Sequence, residues 1–552
     1  MAGDAGDAGE AGEASEAGDT GDTILRIMRC RCCLVFAILI CCSIFAFPAA
    51  AQDHAHELGT VSFPTSCKPA VQAEFEKGVA MLHSYWFSYA GKTFRGVLEQ
   101  DPACAMAYWG IALDLMGNTL SSPPSAQAAK TAWELLEQAR GVDAKTDRER
   151  MWIDAARAYY RNYDTLGVER RLEAYNDAMR QLAERFPQDF EAQVYYALTL
   201  QSSAPKGDTT YANQLKSAAM LEKLYGANPQ HPGITHYLIH AYDFAPFADK
   251  GIAAARRYGA IAPAVPHARH MPAHIYSMVG LWQDSIDSNT SALEIQPDYY
   301  HAADFTVYAH LQLAQDQQAS KMIATALATP ERGDRPATMA NYTAKVAMPA
   351  RYVLERADWK AAAALPIVPT EHPMADSLAH FTRGLGMARL GNRQGASREI
   401  DALQRLRTSM EKSGDAYWAA RTAEQILAVS AWMTFADGAI DKAIAEARQA
   451  ADSEEASIKH VAMENRLYPL RELLGDLLLE AKRPKEAYAE YLASLKQYPN
   501  RFRGLYGAAR AAEAAGDSAN AAVYYRRLIE LAAHADAVRP EVQRARDYLS
   551  RR

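Results

Sequence analysis

A chain of 552 residues that is 49% hydrophobic and 23% charged holds enough apolar side chains for a large packed core, which excludes a disordered, collagen-like or multi-spanning membrane protein. Its net charge of −7 comes without any run of Lys and Arg to neutralise phosphates, so nucleic acid is not expected as a partner. At roughly 100 to 200 residues per domain the length implies three or four domains, unless one repeat array runs through the chain.

The first 23 residues are an Ala, Gly and acidic tract with no large apolar side chain, and they are expected to be disordered. A basic patch (Arg26, Arg29, Arg31), an apolar stretch from Leu34 to Phe47 and the small residues Ala49 to Ala51 then make the three parts of a secretory signal peptide. The stretch is too short to span a bilayer comfortably, and Met28 would begin a signal of ordinary proportions. Cleavage after Ala51 predicts an exported chain, periplasmic or secreted, that starts at Gln52 and keeps no membrane span. Of seven cysteines, only Cys67 and Cys104 then remain, and in an oxidising compartment they are expected to pair. His54 would stand third from the new amine, a position that can wrap Cu(II) or Ni(II) in nitrogen ligands.

From there on apolar residues recur at helical spacing, and no stretch alternates at period two, so the chain is expected to be all α. Gly475, Ala487, Tyr491 and Pro499 are followed 34 residues later by Ala509, Ala521 and Tyr525. This set resembles the tetratricopeptide repeat, where small residues let two antiparallel helices touch and a proline ends the second. In the same register Gly78, Ala90, Phe94 and Pro102 form a first unit, and units beginning at Pro232, Pro266 and Tyr300 follow one another without interruption. The resemblance, to exported bacterial proteins of this type, implies a solenoid of about ten stacked helical hairpins. An N-terminal array is expected over 52–330 and a C-terminal array over 331–552, after the tract and signal of 1–51. It also implies a concave groove lined by repeat positions 2, 5, 9, 12 and 13, with a peptide or protein partner in that groove. Away from the centre the residues read at positions 5 and 9, such as Phe75 and Val79 or Val194 and Leu198, look like packing residues.

The centre differs. Eight of the 15 histidines fall between residues 231 and 310. His236 and His270 share position 5, His240 and His274 share position 9, and His267 and His301 share position 2. Residues at i and i+4 project from one helix face about 5 to 6 Å apart, so each pair can chelate. Stacked units would bring the two pairs together at one ion, and with His267 and His301 there are ligands for two. Zinc or copper suits neutral imidazole, with Asp304 as a further ligand and with Asp243, Tyr308 and His231 lining the groove or orienting ligands. Pro272 falls inside the His270/His274 pair and predicts a kink there, whereas the His236/His240 pair is uninterrupted. A row of histidines also suits a polar groove without metal, and duplication of one repeat alone would copy their phase.

No phosphate-binding glycine loop, nucleophile elbow, HExxH or CxxC stands in the chain after Ala51. Three readings remain open: an exported binding protein with a metal or small metal-bound ligand in its groove, a metalloenzyme built on the same histidines, and a metal-free scaffold for protein partners.

Overall fold

In the computed structural model, residues 57–142, 144–332, 338–460 and 466–551 are described, and every regular element among them is a helix. The acidic tract, the signal-like segment and His54 lie outside the described residues. Among the described residues twelve consecutive antiparallel helix pairs, from Gln72–His83 with Phe87–Gln100 to Phe502–Ala514 with Ser518–Leu531, stack into a tetratricopeptide-type solenoid that a single helix, Pro540–Ser550, caps. Side chains at Ser125, Thr146, Asp189, Asn392, Asp415 and Asp517 accept a backbone N–H and start their helices. Among the described residues no helix is long and apolar enough to cross a membrane.

The small residues of the repeat are there because a neighbouring aromatic ring occupies their space. A Cβ on Gly475 would meet the Tyr491 ring at 2.8 Å, and one on Gly78 would meet Phe94 at 2.8 Å. Cys67 and Cys104 form the expected disulfide, which ties the segment before the first helix to the start of Ala105–Met116.

Three hairpins at the centre hold the histidines: Pro232–Tyr242 with Ile252–Ile261, Pro266–Val279 with Trp282–Ile295, and Tyr300–Gln312 with Asp316–Ala328. The first helix of the middle hairpin is broken at Met271, where Pro272 starts a new helical segment, as the proline predicts. The rest of the chain returns to these hairpins from both ends. Gln72–His83 packs against Pro232–Tyr242, and Thr60 N–H donates to Gln230 O at 2.9 Å. From the other end Trp282 Nε1 donates to Asn500 O at 2.8 Å, and Arg539 Nε donates to Asp316 Oδ2 at 2.8 Å. Residues 53–552 form one compact unit, and the expected arrays on either side of residue 330 pack together through Tyr300–Gln312 and Met339–Glu355.

This closure decides the character of the centre. An open superhelix would leave repeat positions 5 and 9 facing solvent in a groove. Here they are interior: His236 and His270 are 0% exposed, His274 2% and His240 4%.

Candidate metal centre

Six histidines form two sets of three. His236, His240 and His267 make one, His270, His274 and His301 the other, and within each set one ring nitrogen per residue lies within 4.8 Å of the others. Each set takes positions 5 and 9 from one repeat and position 2 from the next, so the second is the first displaced by one repeat. The sequence pattern suggested two i,i+4 pairs meeting at a shared ion; the structure instead gives each pair a third imidazole of its own. The sets are neighbours, with ring centroids 6.1 Å apart between His267 and His270 and 6.5 Å between His240 and His274.

The second set is the more constrained, although Pro272 interrupts it. His270 Nδ1 lies 2.6 Å from Asn289 Oδ1, and Asn289 Nδ2 donates to Ser285 O at 2.7 Å, which fixes the amide with its oxygen toward the histidine. His274 Nδ1 lies 2.9 Å from Asp243 Oδ2, and Lys459 Nζ donates to both Asp243 oxygens at 2.7 Å. Burial pushes Asp243 above the usual carboxylate range and the Lys459 ammonium opposes it, and both Asp243 oxygens accept from that ammonium. Both partners therefore accept, so both histidines carry their proton on Nδ1. Their Nε2 atoms, each bearing a lone pair, face one another at 3.0 Å.

In the first set His236 Nδ1 donates to the His83 carbonyl at 2.6 Å, leaving its Nε2 lone pair 3.0 Å from His267 Nε2. His267 Nδ1 meets Tyr299 Oη at 3.0 Å. Neither nitrogen of the buried His240 has a hydrogen-bond partner, and neither does the buried Tyr85 hydroxyl. Each such orphan costs about 1 to 3 kcal/mol when nothing compensates it. Tyr85 also takes a left-handed backbone, φ 53°, and its ring lies against all three imidazoles, with centroids 4.5 Å from His236, 5.3 Å from His267 and 5.9 Å from His240. Phe305 covers the second set in the same way, 4.7 to 5.0 Å from its three rings.

Burial holds all six imidazoles below their ordinary pKa, His270 at about 4 and the others well below the usual value. They are neutral at pH 7, the form that binds a metal ion. Two nitrogens about 2.0 Å from one ion in trigonal or tetrahedral geometry stand about 3.3 to 3.5 Å apart, so the 3.0 Å approaches need to open by only a few tenths of an ångström.

The remaining candidates are placed elsewhere. Asp304, expected as a ligand, is held by Arg351, whose Nε and Nη2 donate to its two oxygens at 3.2 Å, and it joins neither set. Tyr308, one helical turn further on, accepts from Arg501 and packs on Trp282. His231 caps Pro232–Tyr242 by accepting from Ile234 N–H, and its Nε2 donates to Glu191 at 2.9 Å. Asp243 meets the centre at His274 Nδ1, the orienting place.

Several contributors escaped the sequence reading. His83 and Glu191 belong to a buried triad with His231, in which Glu191 accepts from both histidines and His83 Nδ1 bonds Tyr237 Oη at 3.0 Å. All its ring nitrogens are engaged, and the same His83 supplies the carbonyl that orients His236. The signal was present: His83 is position 13 of the unit starting at Val71, and Glu191 is position 2 of the unit starting at Phe190. Gly233 stands at position 2 where the next two units have His267 and His301, because a Cβ there would meet His83 Nδ1 at 2.4 Å. Lys459 lies between the helices Ile440–Glu455 and Leu470–Glu480, outside any repeat position, and left no signal.

No family model and no curated protein matches the sequence. Among solved structures the chain is similar to the human IFIT1 dimer with m7Gppp-AAAA, at 13% identity over 78% of this chain and 90% of that one, with a TM-score of 0.35. It is also similar to the human IFIT1 dimer with PPP-AAAA, at 14% identity over 84% and 91%, with a TM-score of 0.36. The likeness extends to stacked helical hairpins alone. It corrects one expectation, that nucleic acid is excluded as a partner: these neighbours are complexes with capped or triphosphate RNA. Net charge sums over a whole surface, whereas an anion is bound by local potential, so −7 does not decide the matter.

Proposed function

We propose that this is an exported tetratricopeptide-type protein whose central repeats bind a transition metal through His236, His240, His267, His270, His274 and His301. The observation that carries the reading is the lone-pair contact between His270 and His274. Two acceptor nitrogens 3.0 Å apart in a buried interior repel, and a cation between them turns that repulsion into coordination. Each Nδ1 partner of the second set then acts as an orienting group that fixes the tautomer. Export is supported by the signal-like segment and by the Cys67–Cys104 disulfide, which suits an oxidising compartment.

Elemental analysis of untagged protein, purified beside a His236→Ala/His240→Ala double variant that keeps its helical circular dichroism, tests the reading. Stoichiometric zinc or copper in the parent, reduced in the variant, is the expected result. No metal in either protein, even after incubation with zinc and with copper, returns the chain to a metal-free helical scaffold.

A further inference from the structure

The two three-histidine sets are adjacent, equivalent and without a carboxylate ligand, and this restricts what they hold. We infer that the centre binds two copper ions side by side, one per set, and that the pair takes up dioxygen as a shared ligand. The inference rests on the metal reading above and gives it an ion, a stoichiometry and a ligand.

The argument for copper is one of charge. The acidic groups nearest the sets are already committed, Asp243 to Lys459, Asp304 to Arg351 and Glu191 to His83 and His231. Six neutral imidazoles would therefore leave two divalent ions with four uncompensated charges in a buried space. Desolvating charge is the largest cost of such a site, and Cu(I) halves the charge. A soft monovalent ion is also content with three nitrogen ligands, whereas divalent zinc or iron would add a water or an anion.

The argument for dioxygen is one of geometry and balance. Each ion would be bound on one side by three nitrogens, with Tyr85 packed on one set and Phe305 on the other. The sets approach through His240/His274 and His267/His270, close enough for one small ligand to reach both ions. Dioxygen takes one electron from each Cu(I), giving two Cu(II) and one peroxide dianion, and no proton is consumed. The total charge of the pocket is the same before and after, so the buried interior need not reorganise around a new charge.

The full chain with its disulfide intact is loaded anaerobically with Cu(I), freed of excess, and then exposed to dioxygen. Two copper ions per chain, uptake of one dioxygen per pair, a new near-ultraviolet charge-transfer band and no Cu(II) paramagnetic resonance signal are expected, because two bridged Cu(II) ions couple their spins. His240→Ala and His301→Ala, each with unchanged helical circular dichroism, should retain one copper and lose dioxygen uptake. One copper per chain in the parent, or two copper ions that give a full isolated Cu(II) signal, overturns the inference while leaving a metal site. Stoichiometric zinc with no retained copper does the same. Absence of any metal removes both readings.

Discussion

His270 and His274 point their Nε2 atoms at each other across 3.0 Å, and the other nitrogen of each is committed to a group that only accepts, Asn289 Oδ1 or Asp243 Oδ2. Neither histidine can donate to the other. Removing the acceptor frees His270 to move its proton to Nε2 and satisfy His274 with an ordinary hydrogen bond. Asn289→Leu is therefore expected to weaken metal binding by about 10- to 100-fold with little change in helicity. Competition against a chromophoric chelator measures it, and an unchanged affinity would show that Asn289 does not set the tautomer.

Glu191 lies fully buried between His83 and His231. Burial alone would raise its pKa, but the two histidines outweigh it and hold the carboxyl at about 2. In Glu191→Gln one oxygen becomes an NH2 group that opposes an imidazole N–H. We expect a loss of about 2 to 3 kcal/mol in urea unfolding. Metal affinity of the first set should fall as well, because His83 supplies the carbonyl that orients His236. Unfolding free energies of the metal-free protein and its variant, followed by metal titration of both, separate the two effects.

Asp114 gives a pH dependence remote from the centre. Burial, only partly opposed by Arg95, raises its carboxyl to about 7 from an ordinary 3.8. The folded state then holds a proton that the unfolded chain has released, so stability falls as pH rises from about 4 to 7 and levels off above. Asp114→Asn should flatten that slope and raise stability at pH 8 by about 2 kcal/mol. Urea midpoints of both proteins across pH 4 to 8 decide it; parallel curves would mean that Asp114 is ionised in the folded protein at neutral pH.

Arg501 fastens the C-terminal repeats to the centre. It is 0% exposed and donates to Glu355 at 2.8 Å and to Glu472 at 2.7 Å, and it also contacts Tyr308 of the central repeats. Arg501→Met strands two buried carboxylates and is expected to cost about 3 to 5 kcal/mol. Arg501→Met combined with Glu355→Gln and Glu472→Gln should recover part of that loss. Thermal unfolding of the three proteins measures both, and a single variant as stable as the parent would show that the ion cluster contributes nothing to closure.

The repeat phase made the helical solenoid legible, since each hairpin needs a small residue under a neighbour's ring, as Gly475 lies under Tyr491, and that need recurs every 34 residues. The same phase picked out all six imidazoles, because side chains one repeat apart occupy equivalent places on consecutive helices. Tertiary structure alone decided how they are grouped. Sequence spacing favours i,i+4 partners within one helix, but stacking brings position 2 of the following repeat against positions 5 and 9, giving threes in place of a four. It also decided their environment. The return of Gln72–His83 from one end and of Arg501 and Arg539 from the other turns a groove into an interior. Contacts such as Lys459 to Asp243, 216 residues apart, depend on how the whole array coils, which no local pattern encodes. Asp304 shows the same division: its repeat position was readable, but its pairing with Arg351 follows from a helix that packs against it from outside the histidine repeats.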